Sequence, residues 1–240
     1  MYHSVYFGNM NSFSDWHLVP DGRQVISSPE IETMVVDVPG AEGTVDLSEV
    51  ITKYPIYKNR TGSLKFHVLD TNRSWIDLYE EILATLHGKQ TTLTLEEDPD
   101  WYYKGRFTVK WTSNNNGSLP NIEIGYTLDP FKYYKTINTI TETLSSSSKS
   151  YTIFKSIRSF PVIPTVNITA NTTTGLTFSV TNSEIVLSNV SMKPISSTGT
   201  FPLYSCVLSN MTGNNTGCIL KASRSSGSAT YTISYNRVML

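Results

Sequence analysis

The sequence predicts a mainly β protein: an N-terminal β-sandwich-like domain with one α-helix, followed by a C-terminal antiparallel β-sandwich. Three observations predict it. Short β-branched or alternating runs, bounded by Gly, Pro, Asn or Ser, recur along all 240 residues. A single window carries a helical period. The composition changes past Lys135, where about a third of residues become Ser or Thr. Residues 1–135 hold 12 Lys plus Arg and 18 Asp plus Glu, and residues 136–240 hold 7 and 2, so the parts are net −6 and +5. The run Ser145-Ser146-Ser147-Ser148-Lys149-Ser150 has linker composition, which puts the boundary near 134–150 and the domains at 1–135 and 136–240.

In the first domain, 31–38 is a β-branched run stopped by Pro39-Gly40, and Pro39, Gly40 and Gly43 make 40–48 a bent connector or hairpin tip. Residues 62–69 alternate apolar with polar, which puts His67 on the same solvent face as Lys65, and 91–95 continue in that style. Ser74 can cap a helix of about fourteen residues, with Trp75, Leu78, Tyr79, Ile82, Leu83 and Leu86 at helical spacing and Gly88 as C-cap. His87 ends that helix, where an imidazolium would complement the dipole.

The stretch Glu96-Glu97-Asp98-Pro99-Asp100 reads as a solvated hairpin turn before an aromatic strand, Trp101-Tyr102-Tyr103-Lys104, with a Gly105-Arg106 bend and a second strand after it. Gly105 inside such a strand predicts a bulge or a close backbone approach. Arg106 is expected to pair with the acidic cluster, for at most about 1 kcal/mol. Asp129-Pro130 is expected to end the last strand of the domain. The second domain shows short strands at 161–169, 176–181, 184–187, 218–221 and 229–235.

Several function classes find little support. A chain with 16% charged residues and net charge −1 lacks the clustered Lys and Arg of a nucleic-acid binder. No window has the length of a membrane span, and the first residues lack a signal peptide's basic and apolar regions, so folding in the cytoplasm is the expectation. Cys206 and Cys218 lie twelve positions apart with no neighbouring His, which reads as buried or free thiols. His3, His17, His67 and His87 form no metal-site spacing, no nucleophile motif or phosphate cradle occurs, and no cofactor is expected. The eight Asn-x-Ser/Thr sites, among them Asn59, Asn167, Asn189 and Asn210, follow from the composition. Tyr151, Phe154, Phe160, Phe178, Phe201, Tyr204, Tyr231 and Tyr235 could stack on sugars, although alternating strand positions favour core.

An ordered series in residues 1–135 resembles the distal tail (Dit) protein family of long-tailed bacteriophages. It comprises a short strand around 5–8, the segment from Val38-Pro39-Gly40 to Ser48, Tyr57-Lys58-Asn59-Arg60, the helix with Trp75 that closes at Gly88, Tyr102-Tyr103-Lys104-Gly105-Arg106, and Asp129-Pro130-Phe131-Lys132-Tyr133. The family's frequent Pro-Gly-Arg stands here as Pro39-Gly40-Ala41, so that arginine's ion pair does not carry over. The resemblance implies structural or oligomerising roles for Pro39, Gly40, Gly43, Asn59, Arg60, Trp75, Gly88, Tyr102, Tyr103, Gly105, Arg106, Asp129 and Pro130.

The resemblance implies a virion structural protein of the tail tip or baseplate, assembled in the host cytoplasm. Its first domain would form a cyclic homo-hexamer, a ring between the tail tube protein and the tail-associated hub or tail fibre protein. The second would be a galectin-like sandwich that projects outward and holds a receptor-binding protein. No catalysis, nucleic-acid readout or membrane insertion is implied. Two alternatives stand beside it: a carbohydrate-binding adhesion module for host cell-wall polysaccharide, and a hydrolase that uses the acidic turn.

Overall fold

The structure, a computed structural model, describes residues 3–40, 42–50, 54–69, 73–112, 121–173, 175–181, 183 and 194–240. It is mainly β, with one α-helix among the described residues. Two compact units divide the chain: residues 1–48 and 55–133 with residue 240, and residues 134–239 with the short stretch 49–54.

The first unit contains β1 (Val5–Phe7), β2 (Met10–Asn11), β3 (Leu18–Pro20), β4 (Ile31–Glu32), β5 (Val35–Asp37), β6 (Thr44–Asp46), β7 (Ile56–Tyr57), β8 (Arg60–Val68), α1 (Trp75–Leu86), β9 (Gln90–Leu95), β10 (Trp101–Thr112) and β11 (Asn121–Leu128). β12 (Lys132–Tyr134) follows, with Lys132 and Tyr133 in this unit and Tyr134 in the second. Its main sheet has the order β2-β1-β9-β10-β11-β8-β3, with β12 on β10. Alternation dictates the core: Leu64, Phe66 and Val68 from β8 meet Ile122, Ile124 and Leu128 from β11, and Phe7, Trp16, Leu93 and Phe107 complete the layer. Leu78, Ile82 and Leu86, one turn apart, lay α1 on that layer.

Differences from the sequence reading have local causes. The helix has twelve residues, with Ser74 at the N-cap making no side-chain hydrogen bond. At its other end the Val109 N–H donates to His87 Nδ1 (3.1 Å). The 31–38 run is broken into β4 and β5. No bend or bulge occurs at Gly105. Strand β10 passes through it in unbroken register with β9, and its pairing with β11 begins there at Gly105↔Leu128. The reason for glycine is close approach: a Cβ there would overlap the Thr127 carbonyl oxygen and lie 2.7 Å from Leu128 Cα. Asp129-Pro130 is not the end of the unit's strands, because β12 follows.

The second unit contains β13 (Asn138–Leu144), β14 (Ser148–Ile153), β15 (Ser159–Val162), β16 (Thr165–Asn171), β17 (Thr177–Thr181), β18 (Gly199–Pro202), β19 (Leu208–Asn210), β20 (Cys218–Ser223), β21 (Ala229–Tyr235) and β22 (Val238–Met239). One antiparallel sheet has the order β13-β21-β16-β18 and another β14-β20-β17, and β15 pairs with β19. Leu144, Val166, Ile168, Leu220, Tyr231 and Ile233 share one core with Cys206 and Cys218, which are buried and not joined in a disulfide. The expected strand at 184–187 falls outside the described residues.

The serine run is no linker. It forms the turn from β13 to β14, and Ser148 and Ser150 already belong to β14. Arg224 holds that turn: its Nε donates to Ser146 O (2.7 Å), its Nη2 to Ser145 O, and its backbone N–H to Ser147 O (2.9 Å).

The space at each glycine sets a measurable difference. Gly105→Ala is expected to lower unfolding stability by about 3 kcal/mol through a backbone clash. Gly40→Ala, at φ +83 with nothing within 4 Å, is expected to cost only about 1 kcal/mol of conformational strain. Urea unfolding of both variants measures this, and equal losses would remove the close-approach explanation.

Candidate functional site

Arg60 opens β8 and is 5% exposed, which is unusual for a cation. No carboxylate faces it among its assigned partners. Its Nε donates to Pro130 O (2.8 Å), its Nη1 donates to Ser27 O (2.7 Å), and the Tyr103 ring centroid lies 5.5 Å from the guanidinium. The carbonyls and the negative ring face replace much of the lost hydration. Nη2 has no hydrogen-bond partner among the described residues. Burial lowers the pKa of Arg60 and raises that of Tyr103, while the mutual Coulomb interaction opposes both shifts.

Ser27 completes this clamp. Its N–H donates to the Tyr126 hydroxyl (3.0 Å) and its Oγ to Thr61 O (2.8 Å). Tyr126 sits opposite Gly62 in the β8–β11 register, and only a residue without a Cβ there leaves room for the phenol. The backbone of 27–30 thus runs beside that of 58–61, and Lys58 N–H donates to Glu30 O (2.8 Å).

Between those two clamped feet the chain makes an excursion. Strands β4 and β7 pair through Ile31↔Tyr57 and Glu32↔Ile56, and β5 and β6 through Val35↔Asp46, Val36↔Val45 and Asp37↔Thr44. The tip holds Pro39, with Gly40 and Gly43 both at positive φ. Ser48 donates its N–H (2.9 Å) and Oγ–H (2.5 Å) to Asp46 Oδ1, which holds that carboxyl below its usual range, and Ser48 Oγ accepts from Met34 N–H (2.8 Å).

Strand neighbours point to opposite faces, yet both Val35 and Val36 are exposed. Ile31, Met34, Val38, Val45 and Ile56 are exposed too, the range running from 39% at Ile56 to 58% at Met34. A two-stranded ribbon with apolar side chains on both faces is marginal in water by itself.

The family-marked positions fall into separate groups. Arg60, Tyr103 and Pro130 meet in the clamp, and exposed Asn59 precedes it. Asp129 accepts from the Tyr133 hydroxyl (3.0 Å), and Tyr133 stacks on Tyr102 with centroids 5.5 Å apart. Pro39, Gly40 and Gly43 form the ribbon tip. Trp75 lies elsewhere, exposed on α1 and 5.0 Å from the Trp111 ring centroid.

Arg106 does not reach the acidic turn. Register places it opposite Gln90, well down the hairpin, where its Nη1 donates to Gly88 O (2.8 Å). The turn finds other partners: Glu96 accepts from Ser4 N–H (2.8 Å) and Oγ (3.0 Å), Glu97 from Arg23 Nε (2.6 Å), and Asp98 from Lys132 Nζ (2.6 Å). Ser4 holds the Glu96 carboxyl below its usual range. These carboxylates are structural ties more than a solvated tip. His67 Nδ1 lies 2.6 Å from Asn121 Oδ1, on the half-exposed face that its register predicts.

Among the aromatic residues of the second unit, Phe154, Phe178 and Tyr231 are buried, and Tyr151, Phe201 and Tyr235 pack against the core. Tyr204 is exposed. Asn210 is buried, and its Nδ2 donates to both Phe154 O (2.7 Å) and Asn214 O (3.1 Å), so that sequon is closed in the folded chain.

The sequence signalled Arg60 and Tyr103 but not their partners Ser27 and Tyr126, which lie far away along the chain. The Val35-Val36 pair was the available sign of a ribbon with two apolar faces.

No protein-family model matches the chain, and no curated protein matches it in sequence. Among the solved structures that it resembles is a phage protein. It is the SPP1 Dit (gp 19.1) protein, described as a paradigm of the hub adsorption apparatus in phages that infect Gram-positive bacteria. The likeness has a TM-score of 0.59 and 14% identity and covers 99% of each chain, so it is a likeness of fold through both units.

Removing the clamp has a defined cost. Arg60→Met is expected to lose about 3 kcal/mol of unfolding stability, because two carbonyls lose their buried donor. Arg60→Lys should recover less than half, since an ammonium lacks the planar fork that spans both carbonyls. Denaturant midpoints test this: a lysine variant as stable as the parent would show that charge alone suffices.

Proposed function

We propose that the chain is a structural component of a phage tail tip, a hexameric ring that connects the tail tube to the hub and adsorption proteins. The fold likeness over 99% of both chains carries this reading. Residues 1–135 would be the ring-forming domain, and 136–240 a galectin-like sandwich available to a receptor-binding protein.

The apolar ribbon supplies a physical reason for a ring. A segment with exposed Val35, Val36 and Val45 gains by burial, at roughly 25 cal/mol per Å² of apolar surface. Its clamped feet limit how far it can fold back onto its own unit. A neighbouring copy is therefore the occupant proposed for it. Ribbon on acceptor face is a heterologous contact, and heterologous contacts close into rings when the rotation allows. The net charge of −1 is compatible with close packing of identical copies.

Light scattering of the purified chain is expected to give the hexamer mass. Combined Val36→Asp and Val45→Asp should give a monomer with unchanged circular dichroism, because both side chains are exposed in the single copy. A native chain that stays monomeric at high concentration, or a double variant that still forms rings, would contradict the proposal.

A further inference from the structure

The second unit has a small cavity of about 230 Å³ lined by Tyr134, Asn138, Phe154, Ile157, Tyr235 and Arg237. Its place follows from strand alternation. Ala229, Tyr231 and Ile233 form the inward row of β21, and Tyr235 is the next member, half-buried where the core opens. Asn138 pairs with Tyr235 across β13 and shares its face. Phe154 closes one side, edge-on to Tyr235 with centroids 5.4 Å apart and planes at 88°.

This wall is held in a costly backbone conformation. Phe154 has φ +54 and Ser156 φ +56, a region that bulky residues avoid unless the surroundings impose it. Buried Asn210 imposes it: Asn210 Nδ2 donates to Phe154 O (2.7 Å), while Asn210 Oδ1 accepts from Asn214 N–H (2.9 Å). Asn214 O in turn accepts from Ser156 N–H (2.9 Å), and Ile157 N–H donates to Phe154 O (3.0 Å). Arg237 is oriented by its Nε–H, which donates to Arg158 O (2.7 Å).

We propose that this cavity binds one pyranose ring of a polysaccharide. Aromatic walls match the C–H faces of a sugar ring, and an amide and a guanidinium on the rim match its hydroxyls. The volume is below that of pockets for drug-sized ligands, as a single ring requires. The fixed Phe154 loop gives a preformed wall, so little ordering accompanies binding. This inference does not rest on the ring, since all six lining residues belong to the second unit.

Saturation-transfer NMR on the full chain, with glucose, galactose, N-acetylglucosamine and rhamnose as probes, tests it. At least one probe should receive transfer at its ring C–H protons. Asn138→Ala and Tyr134→Ala should each weaken that binding by about tenfold at an unchanged melting temperature, as loss of one contact to a bound sugar predicts. No transfer from any of the four probes would overturn the proposal. So would transfer that either variant leaves unchanged, including transfer lost only in Tyr204→Ala, which would move sugar contact to that exposed ring.

Discussion

A buried guanidinium that holds two main-chain carbonyls is the constraint on which the first unit's functional surface depends. Arg60 ties Ser27, in the stretch between β3 and β4, to Pro130, just past β11, and itself opens β8. Such a cation is costly to bury, and the Tyr103 ring with the carbonyls offsets that cost only in this geometry. The β4–β7 and β5–β6 pairs are therefore held from a fixed base at residues 27–30 and 58–61.

What is displayed is apolar. A ribbon with valines on both faces has no stable resting place in water, and the clamp restrains it at both feet. The fold alone defines a surface that calls for burial. The second unit follows a different plan, in which Asn210 and Asn214 fix a strained aromatic loop at the mouth of a closed core.

Much of the architecture was legible in the sequence, and the misses share a cause. The period of Leu78, Ile82 and Leu86 and the alternation in 62–69 are local patterns, and both elements stand where those patterns put them. Arg60's partners are 33 and 70 residues away and are carbonyls, which no residue-type pattern encodes. Nearness in sequence puts Arg106 beside the acidic turn, but hairpin register carries it to Gly88. The serine run has a linker's composition, and only Arg224, distant in sequence, makes it a turn. The β-branched run at 31–38 has the composition of a buried strand, yet Val35 and Val36 are exposed.

Single-particle electron microscopy of the assembled protein tests the central claim most directly. The account predicts a closed six-fold ring in which residues 35–46 of each copy lie against the first unit of the next, with Val36 and Val45 out of solvent. A ring whose ribbons stand free in solvent, or a chain that forms no ring at all, would contradict it.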